Sequence, residues 1–451
     1  MVPSSLGTLQ VFMKLPYTAI LSCGLGQLKT NEAKMVIYSC AYFFCLLCSY
    51  FILRPLRDEM GIVNGAVNMQ WLFTGTFVAM LCIVPLFGLL VSKNSLKKVL
   101  VYAYSFFIAN ILLFYILFES FGVSRALAIA FFIWLSVFNL FVVSLFWSFM
   151  ADVFSSKSSK QFFGIIASGG SLGAIIGPVI AKHLSSMDSF GFLLLTAAFF
   201  LLMALICIFN ILRLSSRKKH FSKSRKNPKI KIKDLFEGAQ KIIKSPYLLG
   251  IVAFVLFYTS ISTVLYFEQA HIIERTLTDS KERIGYFSTI DLTVNTLAIF
   301  GQFFLTAQII KKFGLSMVLA SIPIIVGFGL ILLGLHSSLG IVAIVLVIHR
   351  SGNFMLLRPG REILFTVTTS EEKYKAKNFI DTAIYRGGDA LVGWIFTGFL
   401  ALGWGLGPIA FMAIPISFLW GFTGYRLGAL QSKKENTLTL KHSIHENNVQ
   451  P

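Results

Sequence analysis

The chain has 451 residues, of which 56% are hydrophobic and 13% are charged, and its mean hydropathy is +0.75. A soluble globular domain carries about 25% charged residues, so this composition excludes an ordinary soluble protein and indicates a membrane protein. The formal net charge of +20 would also suit a nucleic-acid-binding protein, and the positions of the basic residues decide between these two classes.

Twelve apolar runs, each close to 20 residues long, divide the chain. About 20 residues of helix cross roughly 30 Å of hydrocarbon, and backbone groups in lipid need partners within the protein, so the runs predict transmembrane helices. Strands of a membrane barrel would alternate apolar and polar residues over about ten positions, which these runs do not do. In chain order the runs are Met35–Leu53, Met69–Val91, Val99–Phe118, Leu127–Met150, Phe162–Ala181, Phe190–Leu212, Tyr247–Phe267, Ile284–Ile310, Leu315–Leu335, Leu339–Leu357, Asn378–Leu402 and Leu406–Leu427.

The basic residues predict the orientation in the membrane. With the amino terminus inside, the inner segments hold 31 of the 40 Lys and Arg residues, including Arg426 at the end of the last run. Segments rich in Lys and Arg stay cytoplasmic, so we expect both termini in the cytoplasm and no nucleic-acid partner. The first 34 residues lack the Ser- and Arg-rich pattern of a plastid leader, which favours a bacterial inner membrane. We expect a monomer whose partners are membrane lipids and a small anionic solute.

The longest hydrophilic interior segment, Arg213–Ser245, contains twelve Lys and Arg residues and divides the runs six plus six. Within it, Lys233–Lys244 spaces its apolar residues as an interfacial helix on the anionic inner leaflet would, and a solvated linker is the alternative. The predicted parts are a cytoplasmic leader, an amino-terminal six-helix half, a basic linker, a carboxy-terminal six-helix half and a cytoplasmic tail, at residues 1–34, 35–212, 213–246, 247–429 and 430–451.

Two stretches about 218 residues apart repeat one pattern of residue types. The matched segments are Val153–Ser156, Lys160–Phe162 and Gly169–Gly170 in the first half, and Val367–Ser370, Lys377–Phe379 and Gly387–Gly388 in the second. A shorter Leu-Arg-Pro match joins the ends of predicted helices 1 and 10, which run in opposite directions across the membrane. The repeats predict an all-α, twelve-helix, major-facilitator-like protein with inverted repeats, whose site lies between the halves.

Charged residues inside lipid are costly, so each one is a functional candidate. The candidates for substrate binding or gating are Arg54, Arg57, Asp58, Arg350, Arg358, Arg361, Asp381, Tyr385, Arg386 and Asp389. The candidates for coupling to a proton or cation are Asp291, Asn295 and Asp152. Each set keeps a structural alternative: salt bridges at the outer end of helix 1, packing along helix 8, or an internal ion pair in helix 11.

Proline and glycine residues predict two irregular helices. Pro55 removes a backbone donor and is expected to kink or interrupt the first helix. Gly352 and residues 359–360, Pro and Gly, predict a broken tenth helix whose freed backbone groups line a cavity.

Two spacings predict helix faces. Asp381, Tyr385 and Asp389 follow one another at intervals of four residues, which places them on one face of the eleventh helix. Gly173 and Gly177 in the fifth helix predict close helix packing rather than a phosphate loop. Phosphate-binding loops, zinc-ligand spacings and nucleophile motifs are not found in the sequence, which therefore predicts neither an enzyme nor a cofactor or metal site.

Three segments resemble the non-mitochondrial nucleotide translocases, the ATP/ADP exchangers of plastids and intracellular bacteria. They are Tyr50–Asp58, Phe146–Phe149, and Glu371–Lys377 with the following Asp381 and Arg386. The resemblance implies a twelve-helix carrier related to the major facilitators, and it implies a nucleotide as the substrate.

Two residues depart from the pattern of that family. Arg57 stands where the family has Lys, which keeps the charge, but Asp389 aligns with a Lys of helix 11 and reverses it. The sequence predicts a secondary transporter working by alternating access, with nucleotide or other organophosphate anions as the leading substrate class. A proton-coupled carrier of another organic solute is the alternative. A membrane lipid handler or sensor is the alternative from a different class.

Overall fold

The computed structural model describes residues 30–93, 95–154, 156–187, 189–216, 239–369, 372, 376–377 and 379–447. Three parts of the sequence-based predictions lie outside the described residues: the leader up to residue 29, residues 233–238 of the interfacial helix, and most of residues 371–375 of the family-like segment. Residues 239–244, at the end of the predicted interfacial helix, are helical.

Long helices make up the described part of the chain, and no β-strand occurs there. They are α1 Thr30–Val63, α2 Met69–Lys93, α3 Leu96–Phe121, α4 Arg125–Val153, α5 Ser156–Leu184, α6 Gly191–Ser216, α7 Pro246–Thr276, α8 Ser280–Phe304, α9 Thr306–Leu335, α10 Leu339–Gly352, α11 Tyr385–Ala401 and α12 Leu406–Asn447. A π-helical turn, Asn353–Leu357, and a short helix, Arg358–Leu364, continue α10, and a second π-helical turn, Ile380–Ile384, precedes α11. The predicted all-α, twelve-helix architecture is confirmed.

Ten helices in the described residues are long and apolar enough to cross a membrane by length and composition. The two helices outside that group are α8 and α11. The helix α11 has 17 residues, fewer than the roughly 20 that cross a membrane, whereas α8 has 25 residues and carries Asp291, which lowers its hydropathy.

Several helices extend beyond the apolar runs that predicted them. The helix α1 continues through Pro55 to Val63, so the predicted interruption at this proline is wrong. The helix α7 continues past Phe267 to Thr276, and α12 runs for 42 residues to Asn447. Hydropathy marks the part of a helix that lies in hydrocarbon, whereas hydrogen bonding continues the helix into charged sequence.

The chain divides into two compact units that do not follow the halves of the sequence. Unit 1 contains α1, α3 to α6, the part of α2 from Cys82, and α8 up to Thr296. Unit 2 contains α2 up to Leu81, α7, the part of α8 from Leu297, and α9 to α12. Each unit therefore includes a helix segment from the other half of the sequence. The domain boundaries that the sequence predicts at residues 212 and 246 stay predictions.

In unit 1, the helices α1 and α5 approach closely along a line of glycines. A Cβ atom at Gly169 would lie 2.3 Å from the carbonyl oxygen of Cys40, and one at Gly173 would lie 2.4 Å from that of Phe44. A Cβ atom at Gly177 would meet the Cβ of Phe51 at 2.7 Å. Glycines four residues apart let two helix backbones pack directly, so this spacing is a packing surface, as the sequence predicted.

Aromatic side chains join α1 to α4 in the same unit. The rings of Phe43 and Phe146 stack with centroids 4.1 Å apart, and Trp147 meets Phe43 edge-on at 5.5 Å. The hydroxyl of Tyr42 donates a hydrogen bond of 2.5 Å to that of Tyr104 on α3. The Phe146–Phe149 segment, which resembles the nucleotide translocases, therefore serves helix packing here.

We expect Gly173→Ala to lower the free energy of unfolding by about 1–3 kcal/mol, because the new methyl group would overlap backbone atoms that cannot rotate away. Gly398→Ala in α11 is the matched control, since a Cβ atom at this position would have no other atom within 4 Å. Reversible unfolding in mixed micelles, followed by circular dichroism, measures both. Equal effects of the two substitutions would contradict close packing at Gly173.

Candidate functional site

In unit 1, an ion pair joins α1 to α8. The guanidinium Nη1 of Arg54 lies 3.2 Å from Oδ1 of Asp291, whose side chain is 1% exposed. The Arg54 guanidinium also lies over the ring of Phe51, 5.9 Å from its centroid. A single charge at this depth would be costly, and pairing lowers that cost. Asp291, predicted as a coupling group, is thus the counter-ion of Arg54.

A second ion pair joins the same two helices. The guanidinium of Arg283 donates from Nε and Nη2 to the two carboxylate oxygens of Glu59, each at 2.7 Å, and the Ser280 hydroxyl donates to Oε1 at 2.7 Å. Glu59 is fully buried. Such a two-pronged arginine–carboxylate contact is stronger and more directional than a single hydrogen bond. We call the Glu59–Arg283 and Arg54–Asp291 pairs together the α1–α8 latch.

Sequence reasoning missed Arg283, because it falls in a loop between two apolar runs. A signal was nevertheless present. The helices α1 and α8 are predicted to run in opposite directions. Along α1 the order is Arg54 and then Glu59, and along α8 their partners come in the reverse order, Arg283 and then Asp291. Opposite charges in opposite order on antiparallel helices indicate pairing.

The remaining predicted residues of unit 1 have structural partners or lie outside the latch. Arg57 pairs with its neighbour Asp58 at 2.5 Å, and its guanidinium lies 5.0 Å from the ring centroid of Phe132. The amide of Asn295 donates to the carbonyl oxygen of Ala174 on α5 at 2.8 Å, which is a helix-packing contact. Asp152 is exposed at the carboxyl end of α4.

In unit 2, the predicted break in the tenth helix is a π-helical turn instead. The N–H of Arg358 bonds to the carbonyl of Asn353, five residues back, and Pro359 has no N–H to donate. The carbonyl oxygens of Phe354 and Met355 accept hydrogen bonds from side chains.

Those donors come from α8 and α9. Nε2 of Gln302 lies 2.9 Å from the Phe354 oxygen, and Oγ1 of Thr306 lies 2.8 Å from the Met355 oxygen. Side chains of neighbouring helices commonly satisfy the carbonyls that a proline frees within a membrane. The helix therefore stays continuous, and these two carbonyl oxygens have side-chain donors.

A π-helical turn, Ile380–Ile384, precedes α11 and contains Asp381, one of the residues that the sequence placed on one face. Asp381 pairs with Arg361 at 3.1 Å, whereas Asp389 lies 3.6 Å from Arg386 and accepts a hydrogen bond of 3.1 Å from Thr263 on α7. The two aspartates have different partners, and the common face of Asp381, Tyr385 and Asp389 stays a prediction.

An aromatic cluster adjoins these charges. The ring of His349 stacks on Tyr258 with centroids 5.1 Å apart and an angle of 10°, and Trp420 lies 5.8 Å from the same histidine. The ring of Tyr385 lies 5.8 Å from Tyr258. His349 and Trp420 are fully buried. Tyr258 and Trp420 lie in apolar runs without charged neighbours, so neither hydropathy nor charge pattern could select them.

Two arginines of unit 2 come directly after residues of this cluster in the chain. Arg350 and Arg386 are the chain neighbours of His349 and Tyr385, and the Arg386 guanidinium lies 5.6 Å from the Tyr385 ring centroid. Arg358 is exposed, with its guanidinium 5.6 Å from the Phe354 ring.

We call the rings of Tyr258, His349, Tyr385 and Trp420, with the arginines at positions 350 and 386, the cluster of unit 2. Two further ion pairs of this unit join Arg361 to Asp381 at 3.1 Å and Lys377 to Glu362 at 2.6 Å. Arg386 is 36% exposed on its side chain. A partly open surface of guanidinium groups beside aromatic rings attracts anions and can stack planar groups. Within the described ranges, no group of three or more His, Cys, Asp or Glu residues is placed to hold a metal ion.

Solved structures similar to this fold are transporters. A bacterial homologue of the human lysosomal transporter Spinster, inward-facing and unoccupied, matches with a TM-score of 0.52 and 12% identity over 90% of this chain and 98% of that one. The human organic anion transporter MFSD10 matches with a TM-score of 0.58 and 13% identity over 88% and 100%. A POT family transporter in complex with a thioalcohol-conjugated peptide matches with a TM-score of 0.56 and 11% identity over 90% and 96%.

These likenesses establish the fold class: a multi-pass membrane protein with a transporter fold. At the level of sequence, the family model described as the Major Facilitator Superfamily matches residues 35–371. The chain belongs to the Major Facilitator Superfamily. No curated protein sequence matches it.

We expect Arg54→Met and Asp291→Leu each to lower the free energy of unfolding by about 3–5 kcal/mol, because each leaves one buried charge without its partner. The double variant should recover most of this loss, since it removes both charges and fills their space with apolar groups. Unfolding of the four proteins in mixed micelles gives the coupling energy. Losses that simply add in the double variant would contradict the ion pair.

Proposed function

We propose that this protein is a secondary transporter that exchanges anionic solutes by alternating access, with nucleotides or other organophosphates as the substrate class. The partly exposed guanidinium group of Arg386, beside the aromatic rings of the cluster of unit 2, carries this proposal. Guanidinium groups bind phosphate oxygens in pairs of parallel hydrogen bonds, and they remain charged even when desolvated. These guanidinium groups would repel a cation and would have no charge to bind on a neutral solute.

Arg386 and Arg350 are the proposed substrate ligands. The Arg386–Asp389 pair is long at 3.6 Å, so a phosphate oxygen can replace the carboxylate without breaking a short hydrogen bond. Thr263 donates to Asp389 and would hold this carboxylate while Arg386 changes partner. Tyr258 and Tyr385 would offer aromatic faces to the planar part of the solute.

The α1–α8 latch supports a gating step. Under the orientation that the basic residues predict, the carboxyl end of α1 and the amino end of α8 lie on the outer side of the membrane. Alternating access requires the two sequence halves to separate on one side at a time. Opening the outer side would break the Glu59–Arg283 and Arg54–Asp291 pairs, and closing it would form them again.

We further propose that the protein lies in a bacterial inner membrane as a monomer with both termini in the cytoplasm. The distribution of Lys and Arg supports the orientation, because inner segments hold 31 of the 40 basic residues.

A proton-coupled carrier of another organic solute is the second candidate. The observation that favours it is Asp389, which brings a negative charge to the arginine cluster where the nucleotide translocases carry Lys. A carboxylate at 3.6 Å from Arg386 would oppose a polyphosphate but tolerate a solute with a single negative charge.

Uptake of labelled ATP into proteoliposomes, preloaded with ADP or left empty, tests the substrate class. We expect uptake that depends on internal ADP. Arg386→Ala should lower it about 10- to 150-fold, because a charged hydrogen bond to phosphate contributes about 1.5–3 kcal/mol.

Arg426→Ala is the matched control, because Arg426 is an exposed arginine of α12 that lies over the ring of Phe422. This variant should transport like the unchanged protein. Failure of the folded protein to take up ATP would exclude nucleotides and direct the search to organic anions driven by a proton gradient.

Cross-linking tests the latch. We expect a bifunctional thiol reagent to join cysteines in a Glu59→Cys, Arg283→Cys variant and to stop transport, because α1 and α8 could no longer part. Reduction of a cleavable linker should restore the activity. The two single-cysteine variants control for the native thiols, and transport that continues after complete cross-linking would exclude this gate.

A further inference from the structure

Two buried polar side chains on α7 lie outside the proposed binding cluster. Glu268 is 0% exposed and His271 is 6% exposed, although both follow the apolar run that predicted this helix. Among the described residues, neither carboxylate oxygen of Glu268 has a hydrogen-bond partner, and neither does Nε2 of His271. Residues three apart on a helix lie on one face, so both side chains leave α7 on the same side.

The geometry assigns the protons of the histidine. Its Nδ1 lies 2.8 Å from the carbonyl oxygen of Phe267, and a carbonyl only accepts, so Nδ1 carries the donated hydrogen. In a neutral imidazole, Nε2 is then an acceptor with a free lone pair. One face of α7 therefore carries a carboxyl group and an imidazole lone pair, and neither has a hydrogen-bond donor among the described residues.

The surroundings of the pair supply few charges. The ring of Phe396 on α11 lies 5.7 Å from that of His271, and Phe267 packs against the same phenylalanine at 5.3 Å. The charged groups that act on the pair are Glu274 and Arg275, both on α7 and both exposed.

The other elements packed against this end of α7 contribute uncharged groups. The residues of α2 and α11 that face it include Gln70 and Thr397, which hydrogen-bond to each other at 3.2 Å. The turn Ala66–Asn68 is tied to α7 through its first N–H, which donates to Glu274 at 3.2 Å. The α10 and α12 segments near this end, residues 339–348 and 406–420, contain no charged residue.

We propose that Glu268 and His271 form a proton-binding site on the outer part of α7. A carboxylate without a partner in apolar surroundings is far less stable than the neutral acid, so Glu268 holds a proton in this conformation. When water from the outer side reaches the site, the proton leaves an oxygen of Glu268 and passes to Nε2 of His271 or to solvent. The coupling role of this site rests on the proposed transport function. In that role the bound proton offsets the charge of an anionic solute.

Infrared spectroscopy of the protein in lipid nanodiscs tests the proton site without any substrate. We expect a carboxylic acid C=O band at neutral pH that is absent from Glu268→Gln and present in Glu274→Gln, an exposed position on the same helix. His271→Gln should keep the band and change the pH at which it disappears. A spectrum that Glu268→Gln leaves unaltered would overturn the proposal.

Proteoliposomes containing a pH-sensitive dye test the coupling. We expect proton movement to accompany ATP exchange in the unchanged protein and to fall about tenfold or more in Glu268→Gln, while exchange itself continues. Equal proton movement in both proteins would overturn the coupling role. Absence of ATP transport, with the infrared band still assigned to Glu268, would reject the nucleotide class and leave the proton site standing.

Discussion

Hydrocarbon offers no hydrogen bonds, and the rest of this structure depends on that constraint. Each ionised side chain placed among the spanning helices needs a partner from the protein, and so does each carbonyl oxygen freed from the helix hydrogen bonds. Arg54 takes Asp291, Glu59 takes Arg283, and the carbonyl oxygens of Phe354 and Met355 take side-chain donors. These contacts link helices that are distant in sequence, so the need for partners also determines which helices are held together.

The same constraint favours a buried charge that exchanges one partner for another over a buried charge that is left unpaired. A buried arginine that releases one carboxylate must gain another anion, and in the proposed cycle the solute is that anion at Arg386. In the same proposed cycle the α1–α8 latch differs, because its charges would separate toward the aqueous side, where water can solvate them. The proposal thus distinguishes two kinds of ion pair: one at the cluster of unit 2, where solute would compete, and one at the latch, where water would compete.

The sequence predicted the fold well and the site in part. Apolar length identified the spans, and charge within them identified Arg54, Asp291, Arg386 and Asp389, because lipid makes both signals strong. Hydropathy could not follow a helix into charged sequence, so Glu268 was placed beyond the seventh span. Partner identity depends on packing between distant helices. For that reason Arg283, a loop residue by hydropathy, was overlooked, and Tyr258 and Trp420 were hidden among other apolar residues.

The two π-helical turns have a consequence for comparison among relatives. Each turn holds about one residue more than an α-helical turn while adding little length. An alignment to a protein with regular helices therefore keeps the structural register only if one residue stays unmatched in Asn353–Leu357 and another in Ile380–Ile384. Without those gaps, the residue of the relative that is aligned with Arg386 would be one position away from its true structural equivalent. It would then lie on a different side of the helix, and the role of Arg386 would be assigned to the wrong residue.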